Sequence, residues 1–265
     1  MESTQQSPYD VIVAGYGPTG MMAAILLGRA GHRVAVLERY TTLYNLPRVG
    51  IVHDDIMRMF QHVGCLERVQ QAMHFLPVYE LARNGKVLMS SKVEPLATHG
   101  WPEFISVYQP AFEAELDLLA RAEPNIDVFQ GETVVALGQD RDGVEATTED
   151  AAGTRRVVRG SYLIGADGGN SFVRRALGIE YLSLGIDQDW LVIDAKARRP
   201  QRPELPYLRQ FCEPEQPGMT MRMGPDHRRW SFMIFPGETV EEATRPENIW
   251  RRLSRPEGGT PEEFE

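Results

Sequence analysis

The chain has 265 residues, 42% of them apolar, and a formal charge of −9, enough to bury a sizeable core in one large domain or two smaller ones. An acidic balance spread along the chain argues against nucleic acid as a partner. The most apolar stretch, from Val11 to Leu27, is broken by three glycines and a proline and lacks a basic lead, so neither membrane insertion nor export is expected, and a cytoplasmic location is. Cys65 and Cys212 lie far apart with no metal-type spacing and read as core thiols in a reducing compartment. The six histidines show no paired ligand spacing, so no metal site is expected.

In chain order, "YDVIVA" reads as a buried strand, Pro18 to Ala30 as a helix, and "HRVAVLE" as a second strand that ends on an acid. "HDDIMRMFQHVG" has the pattern of a helix with aspartates in its first turn and Gly64 as its stop. The Asn84-Gly85 pair in "YELARNGKVLM" signals a hairpin. "FISVYQP" is strand-like up to Pro110, and "AFEAELDLLARA" after it is an amphipathic helix. Two more strand-like arms follow, "TVVALGQDRDGVEATTED" and "RRVVRGSYLIGAD". Beyond Gly185, "WLVIDAKAR", "YLRQFCE", "MTMRMG" and "RWSFMIFPG" read as successive strands of an antiparallel sheet, and Pro246 to Leu253 as a short helix. No internal repeat stands out.

The first strand runs into Gly15, Gly17 and Gly20 with G-x-G-x-x-G spacing. Gly15 permits a tight turn, Gly17 lets backbone approach a pyrophosphate, and Gly20 lets the helix pack closely on the sheet. The helix opening at Pro18 aims its amides and positive dipole end at the phosphates. Glu38, at the end of the next strand, stands where a carboxylate accepts hydrogen bonds from a ribose diol. NAD and the ADP half of FAD share that diol and pyrophosphate, so this turn leaves the two open and disfavours only NADP here.

A second signature is more specific. In "YLIGADGGNSFVRRALGI" an apolar strand meets Asp167-Gly168, and Ser171 then opens a short helix that carries Arg174. This stretch resembles the Asp-Gly signature of flavoprotein aromatic hydroxylases of the para-hydroxybenzoate hydroxylase type, matched at Asp167, Gly168, Ser171 and Arg174. "LPRVGIVHDDIMRMFQHVG" is similar to that family's Pro-Arg segment, whose arginine, Arg48 here, follows the ribityl-phosphate arm of the flavin. "GWPEFISVYQPAFEAELDLLARAEPNI" resembles the segment whose Gln-Pro pair, with Gln109 here, approaches the ribityl chain. Together with "FMIFPGET", these stretches are most similar to 3-(3-hydroxyphenyl)propionate hydroxylases within the family. Arg39, beside Glu38, and Val134 complete the cofactor contacts that the resemblance implies.

The implied fold is α/β, a Rossmann-like FAD-binding domain interleaved with a β-sheet substrate domain. Residues 1–78 and 98–185 would form the FAD-binding parts, 79–97 a substrate-domain hairpin and 186–265 the β-rich substrate domain. The implied cofactors are FAD and, as co-substrate, NADH or NADPH, and the implied partners are O₂ and a small phenolic compound. Oxygen would pass to the ring from a flavin C4a-hydroperoxide, with the protein placing the substrate and excluding water. His53, on a segment that borders flavin and substrate in relatives, is the candidate acceptor of the phenol proton. Met219, Met221, Met223, Trp230, Phe232 and Met233 would offer apolar faces toward the pocket.

Members of the family normally carry a third signature, a Gly-Asp pair after a further strand, and this sequence has no such dipeptide. The expectation is therefore an N-terminal portion whose nucleotide sheet leaves an open edge and which, alone, holds FAD weakly and hydroxylates little or not at all. A homodimer or a complementing C-terminal segment would be its macromolecular partner. Two alternatives stay open: another FAD-dependent oxidoreductase of the same superfamily, and a non-catalytic or split nucleotide-binding module. A plain NAD-dependent dehydrogenase leaves the stretch from Asp167 to Arg174 unexplained.

Overall fold

Strand β1 (Tyr9–Ala14) is buried at every position except Asp10. An apolar run without alternation suits a strand covered on both faces, and β1 has parallel neighbours on both sides. Helix α1 (Pro18–Arg29) starts on a proline, whose missing N–H would be unpaired in a first turn anyway. It returns the chain to β2 (Val34–Glu38), parallel to β1. The computed structural model describes residues 9–255 and 257–265. Among them, no helix is long and apolar enough to cross a membrane.

The next elements are β3 (Ile51–Val52), α2 (Asp54–His62), α3 (Leu66–Val69), β4 (Met73–Phe75), β5 (Val78–Arg83), β6 (Lys86–Lys92) and β7 (Ile105–Val107). Gly64, with a φ of +73°, ends the helical stretch as expected. Asn84 and Gly85, at φ of 50° and 72°, make the two-residue turn between β5 and β6, the pair of left-handed residues that matches strand twist.

Helix α4 (Gln109–Ala122) takes in Gln109 and Pro110, where the sequence suggested the end of a strand. A proline's fixed φ is as well suited to a first helical turn. After it come β8 (Ile126–Gln130), β9 (Thr133–Asp140), β10 (Gly143–Glu149), β11 (Arg155–Gly165) and α5 (Phe172–Ala176). The last elements are β12 (Trp190–Lys196), β13 (Leu208–Phe211), β14 (Gly218–Met223), β15 (His227–Met233), α6 (Val240–Ala243) and α7 (Pro246–Leu253).

The chain divides into two compact units. One holds the chain up to Leu46 and Pro110–Leu182, the other Pro47–Gln109 and Ser183–Glu265. The chain thus passes between units at 46/47, 109/110 and 182/183, whereas the expected divisions lie at 78/79, 97/98 and 185/186. The stretch 47–78 belongs with the second unit because β3 and β4 both pair with β7 in a small sheet of order β3-β7-β4.

The first unit is built on a sheet of order β8-β2-β1-β11-β10-β9, whose first four strands are parallel. β11 changes partner along its length. Up to Gly160 it pairs antiparallel with β10, and from Gly160 onward it runs parallel to β1. Among the described residues, no strand pairs with Ser161–Gly165 on the side away from β1, and Tyr162 on this stretch is 72% exposed. Tyr9, Ile12, Ala35, Leu37, Ala146 and Val158 form a buried apolar cluster of this unit.

The second unit carries a sheet of order β12-β15-β14-β13-β5-β6. The strands from β12 onward were expected to be antiparallel. β13 is antiparallel to β14 but parallel to β5, so the sheet is mixed. The β5–β6 hairpin has to join an edge set by distant residues, which local periodicity does not record. The apolar residues expected to share a pocket floor fall on opposite faces. Trp230 and Phe232 pack with Leu253 and Phe264, while Met221 and Met223 pack with Leu76 and Leu208. Neighbours along a strand point to opposite sides, so alternation separates them. Cys65 is buried as expected, but Cys212 is exposed; it directly follows β13, and its amide closes a hydrogen bond to the Ala82 carbonyl.

Candidate functional site

In the first unit two loops leave the carboxyl ends of adjacent parallel strands, one after β1 and one after β11. The strand order reverses there: β2 and β8 follow on one side of β1, β11 on the other. Such a switch point opens a crevice at the strand ends in which α/β proteins bind nucleotides. Gly15, at φ +103°, makes the turn. A Cβ on it would lie 2.3 Å from the Ala166 carbonyl oxygen and 2.9 Å from the Asp167 Cα, so the two signature loops touch through backbone. A Cβ on Gly20 would meet the Gly15 oxygen at 2.0 Å, which explains the glycine at the third position.

The space beside Gly17 and beside Gly168 is open, with nothing within 4 Å of a built Cβ. Gly17 caps α1 without any side-chain hydrogen bond, and the first turn of α1 holds no acidic residue. Its amides and dipole are therefore offered to an anion rather than to the protein. Glu38 is already oriented: Oε2 accepts from the Tyr16 amide at 2.7 Å and Oε1 from the Tyr40 amide at 3.0 Å. A carboxylate oxygen has a second lone pair, so a diol can still bind. An open glycine cradle, an uncapped helix start and an oriented carboxylate fit the pyrophosphate and ribose of a dinucleotide.

The second loop is shaped by side chains. The Asp167 carboxylate accepts from the Ser171 hydroxyl and from the Val173 amide at 3.0 Å. Ser171 Oγ in turn accepts from the Arg174 amide at 2.9 Å, capping α5. Arg174 is used locally, donating to the Ile179 carbonyl at 3.2 Å and lying 5.1 Å from the centre of the Tyr181 ring. Arg39 stacks over the neighbouring Tyr40 ring at 4.8 Å. Val134 packs against the apolar cluster around Ile12 and Leu37. Its strand starts beside the end of β2, because the Glu132 amide donates to the Glu38 carbonyl at 2.9 Å.

Tyr16, between the first two glycines, escaped sequence reasoning. It is 4% exposed, and its hydroxyl donates to Asp117 Oδ1 at 2.8 Å. Burial first, and then the Asp117 carboxylate, hold this phenol well above its usual range, so it stays protonated. Asp117 also accepts from Arg121, which reaches Gln130 at the end of β8. The glycine loop is thus tied to α4 through its one large side chain. An aromatic inside the glycine spacing is the only signal in the sequence, and it names no partner.

In the second unit, Gln109 Oε1 accepts from the amides of Arg48 and Val49 at 2.7 and 2.6 Å. Two of the candidate residues are therefore joined, through backbone, by one buried amide side chain. His53 caps α2 without a side-chain hydrogen bond. Its Nδ1 lies 2.9 Å from the Glu103 carbonyl oxygen. A carbonyl can only accept, so Nδ1 carries the proton and Nε2 of the neutral ring keeps its lone pair.

Comparison with known proteins agrees with this geometry. The family model described as FAD binding domain matches residues 8–256. Over 247 residues the chain is 37% identical to a probable NADH-specific resorcinol 4-hydroxylase of Rhodococcus jostii, covering 92% of this chain and 46% of that protein. It is 35% identical over 243 residues to a 3-(3-hydroxy-phenyl)propionate/3-hydroxycinnamic acid hydroxylase of Burkholderia vietnamiensis, covering 91% of this chain and 38% of that one. The chain spans less than half the length of these two relatives. Among solved structures, aklavinone-11 hydroxylase with FAD and aklavinone superposes with a TM-score of 0.79 at 24% identity, over 96% of this chain and 50% of that one. The p-nitrophenol 4-monooxygenase of Pseudomonas putida gives 0.79 at 20%, over 97% of this chain and 65% of that one. At those identities the likeness concerns the fold, which is the mixed α/β architecture expected from the sequence. Family model, relatives and fold agree, and the chain belongs to the FAD binding domain family.

Proposed function

We propose that this chain carries the nucleotide-holding part of an FAD-dependent aromatic monooxygenase that uses NADH or NADPH and O₂ to hydroxylate a phenolic compound of phenylpropionate or resorcinol type. The observation that carries this reading is the contact of the loops after β1 and β11, with Gly15 set against Ala166 and Asp167. A nicotinamide dehydrogenase has no use for the second loop. The names of the relatives, a resorcinol 4-hydroxylase and a hydroxyphenylpropionate hydroxylase, support the substrate class and, for the first, NADH.

Gly15, Gly17, Pro18 and Gly20 would hold the pyrophosphate at the start of α1, and Glu38, with Arg39 beside it, the adenosine ribose. Asp167, Gly168, Ser171 and Arg174 would line the far side of the same crevice, with Val134 near its ribose end. Arg48 and Gln109 would attend the ribityl-phosphate arm. When bound, FAD supplies electron transfer from the nicotinamide and activation of O₂. The chain's part at the ring is to place the phenol, keep water out and accept its proton. His53 Nε2, on the ring side away from the Nδ1 bond to the Glu103 carbonyl, is the candidate acceptor. A cytoplasmic location belongs to the same proposal.

The test is a titration of the purified chain with FAD, followed by its visible spectrum. Saturable binding that shifts the flavin bands supports the reading, and none at millimolar FAD removes it. Replacing His53 with Gln in an active enzyme should slow hydroxylation more than flavin reduction. Equal slowing would dismiss His53 as the proton acceptor.

A second reading, a split or non-catalytic module, draws on the unpaired side of Ser161–Gly165 and the exposed Tyr162. An open edge invites another strand. Under it, the chain alone holds FAD weakly and gains affinity when a complementing C-terminal segment is added. Size measurement of the chain alone and of the mixture separates that from self-pairing.

A further inference from the structure

Arg222 on β14 and Arg228 on β15 stand directly opposite each other in the second unit. Residues paired in this way share a face of the sheet, and like charges so placed repel. Arg228 is 1% exposed. Its Nε donates to Gln201 Oε1 at 2.8 Å, and its Nη1 to the Pro206 carbonyl at 3.0 Å and to Thr220 Oγ1 at 3.1 Å. All three acceptors are neutral. Among the described residues, Nη2 of Arg228 has no acceptor, and neither arginine pairs with a carboxylate.

Arg222 is half-buried. Its Nη2 donates to the Pro225 carbonyl at 2.9 Å, while its buried Nε has no partner among the described residues. Burial first, and then the charges of Arg222 and Arg202, pull the Arg228 guanidinium down to about 9, which leaves it a cation at pH 7. Arg202 already has a counter-ion, since its Nε donates to Glu263 Oε1 at 2.6 Å. His74 is held below its usual range by burial and then by the charge of Arg222. A buried cation facing another cation, with donors left over on both, is costly unless something negative completes it.

We propose that Arg222 and Arg228 form a binding site for a small inorganic oxyanion of the phosphate class. Guanidinium N–H groups bond oxyanions strongly, and the tetrahedral oxygens of phosphate can accept from two guanidiniums in different planes. The burial of Arg228 restricts the ligand to a small ion. Its effect would fall on segment 201–207, which lies in no helix or strand. Arg228 holds that segment to the β14–β15 hairpin at Gln201 and Pro206. The Arg222 amide holds it at the Tyr207 carbonyl, at 2.9 Å, and Gln201 Nε2 donates to the His227 carbonyl at 3.0 Å. An anion that relieves the repulsion between the two arginines fastens this segment. No part of the inference depends on the cofactor.

The test titrates the full chain with inorganic phosphate, and in parallel with sodium chloride at matched ionic strength, and follows Tm and amide hydrogen exchange. Phosphate should raise Tm saturably, as a ligand of the folded state does, and slow exchange at the amides of 201–207. Chloride should do neither. Arg222→Gln should weaken phosphate about tenfold or more, the scale of one charge-assisted hydrogen bond, and abolish the local protection. Equal effects of phosphate and chloride, no saturation at millimolar phosphate, protection spread evenly along the chain, or an undiminished response in Arg222→Gln would each overturn the proposal. Should Arg222→Gln not fold by circular dichroism, Arg222→Lys carries the test. It keeps the charge but loses the Nε donor, and should weaken phosphate about threefold; an unchanged affinity there would count equally against the site.

Discussion

The two loops that meet at the carboxyl ends of β1 and β11 are built in opposite ways. The first is made by side chains that are missing: Gly15 turns the chain at φ +103°, and a Cβ on Gly15 or Gly20 would strike backbone. The second is made by side chains that are present, with Asp167 and Ser171 tying the turn to the start of α5. One loop is steric and the other is polar. At Gly15 and Gly20 the steric loop tolerates no added atom, whereas a polar one loses its shape only as fast as its hydrogen bonds are removed.

That contrast can be broken by substitution. Gly15→Ala forces a disfavoured φ and a 2.3 Å overlap with the Ala166 oxygen, so unfolding in urea should show a loss of roughly 2–4 kcal/mol, with FAD binding abolished. Asp167→Asn keeps the size but weakens two bonds to a charged acceptor, and about 1–3 kcal/mol should go, with Tm as the readout. Ser171→Ala removes the cap of α5, at about 1 kcal/mol. Tyr16→Phe deletes the bond to Asp117 and should cost about 1 kcal/mol or less, since Asp117 retains Arg121. Gly17→Ala is the smallest and the sharpest. Open space surrounds that position, so stability should move by no more than about 0.5 kcal/mol while FAD affinity falls. A large stability loss at Gly17 with no change in binding would show that the open space is not a ligand site.

Much of the first unit was legible in the sequence, because its signals are local. Glycine spacing after an apolar strand, a proline at a helix start and a serine cap at Ser171 each act within a few residues, as does the Asn84-Gly85 turn of the second unit. β8 was not seen: its five residues mix Asp127 and Gln130 with Ile126, Val128 and Phe129, and only its partner β2 makes them a strand. The parallel pairing of β13 with β5, the exposure of Cys212 and the parting of Trp230 from Met221 onto opposite faces depend on which strands come together. Among the candidate residues, Glu38 and Gln109 were named from spacing and resemblance, whereas Tyr16, whose amide donates to Glu38, and Asp117, which accepts from the Tyr16 hydroxyl, were not.

By itself the sequence determined the turn chemistry, many of the element types and, through motifs that resemble known ones, the family; the turns and helix starts follow from backbone preferences and short-range hydrogen bonds that every chain with these residues meets. Tertiary structure alone decided that Gly15 lies against Asp167 and that Arg229 grips the carbonyls of Pro47 and Arg48. Contacts between residues so far apart in the chain form only after sheet order and register are set, and no local pattern encodes that order.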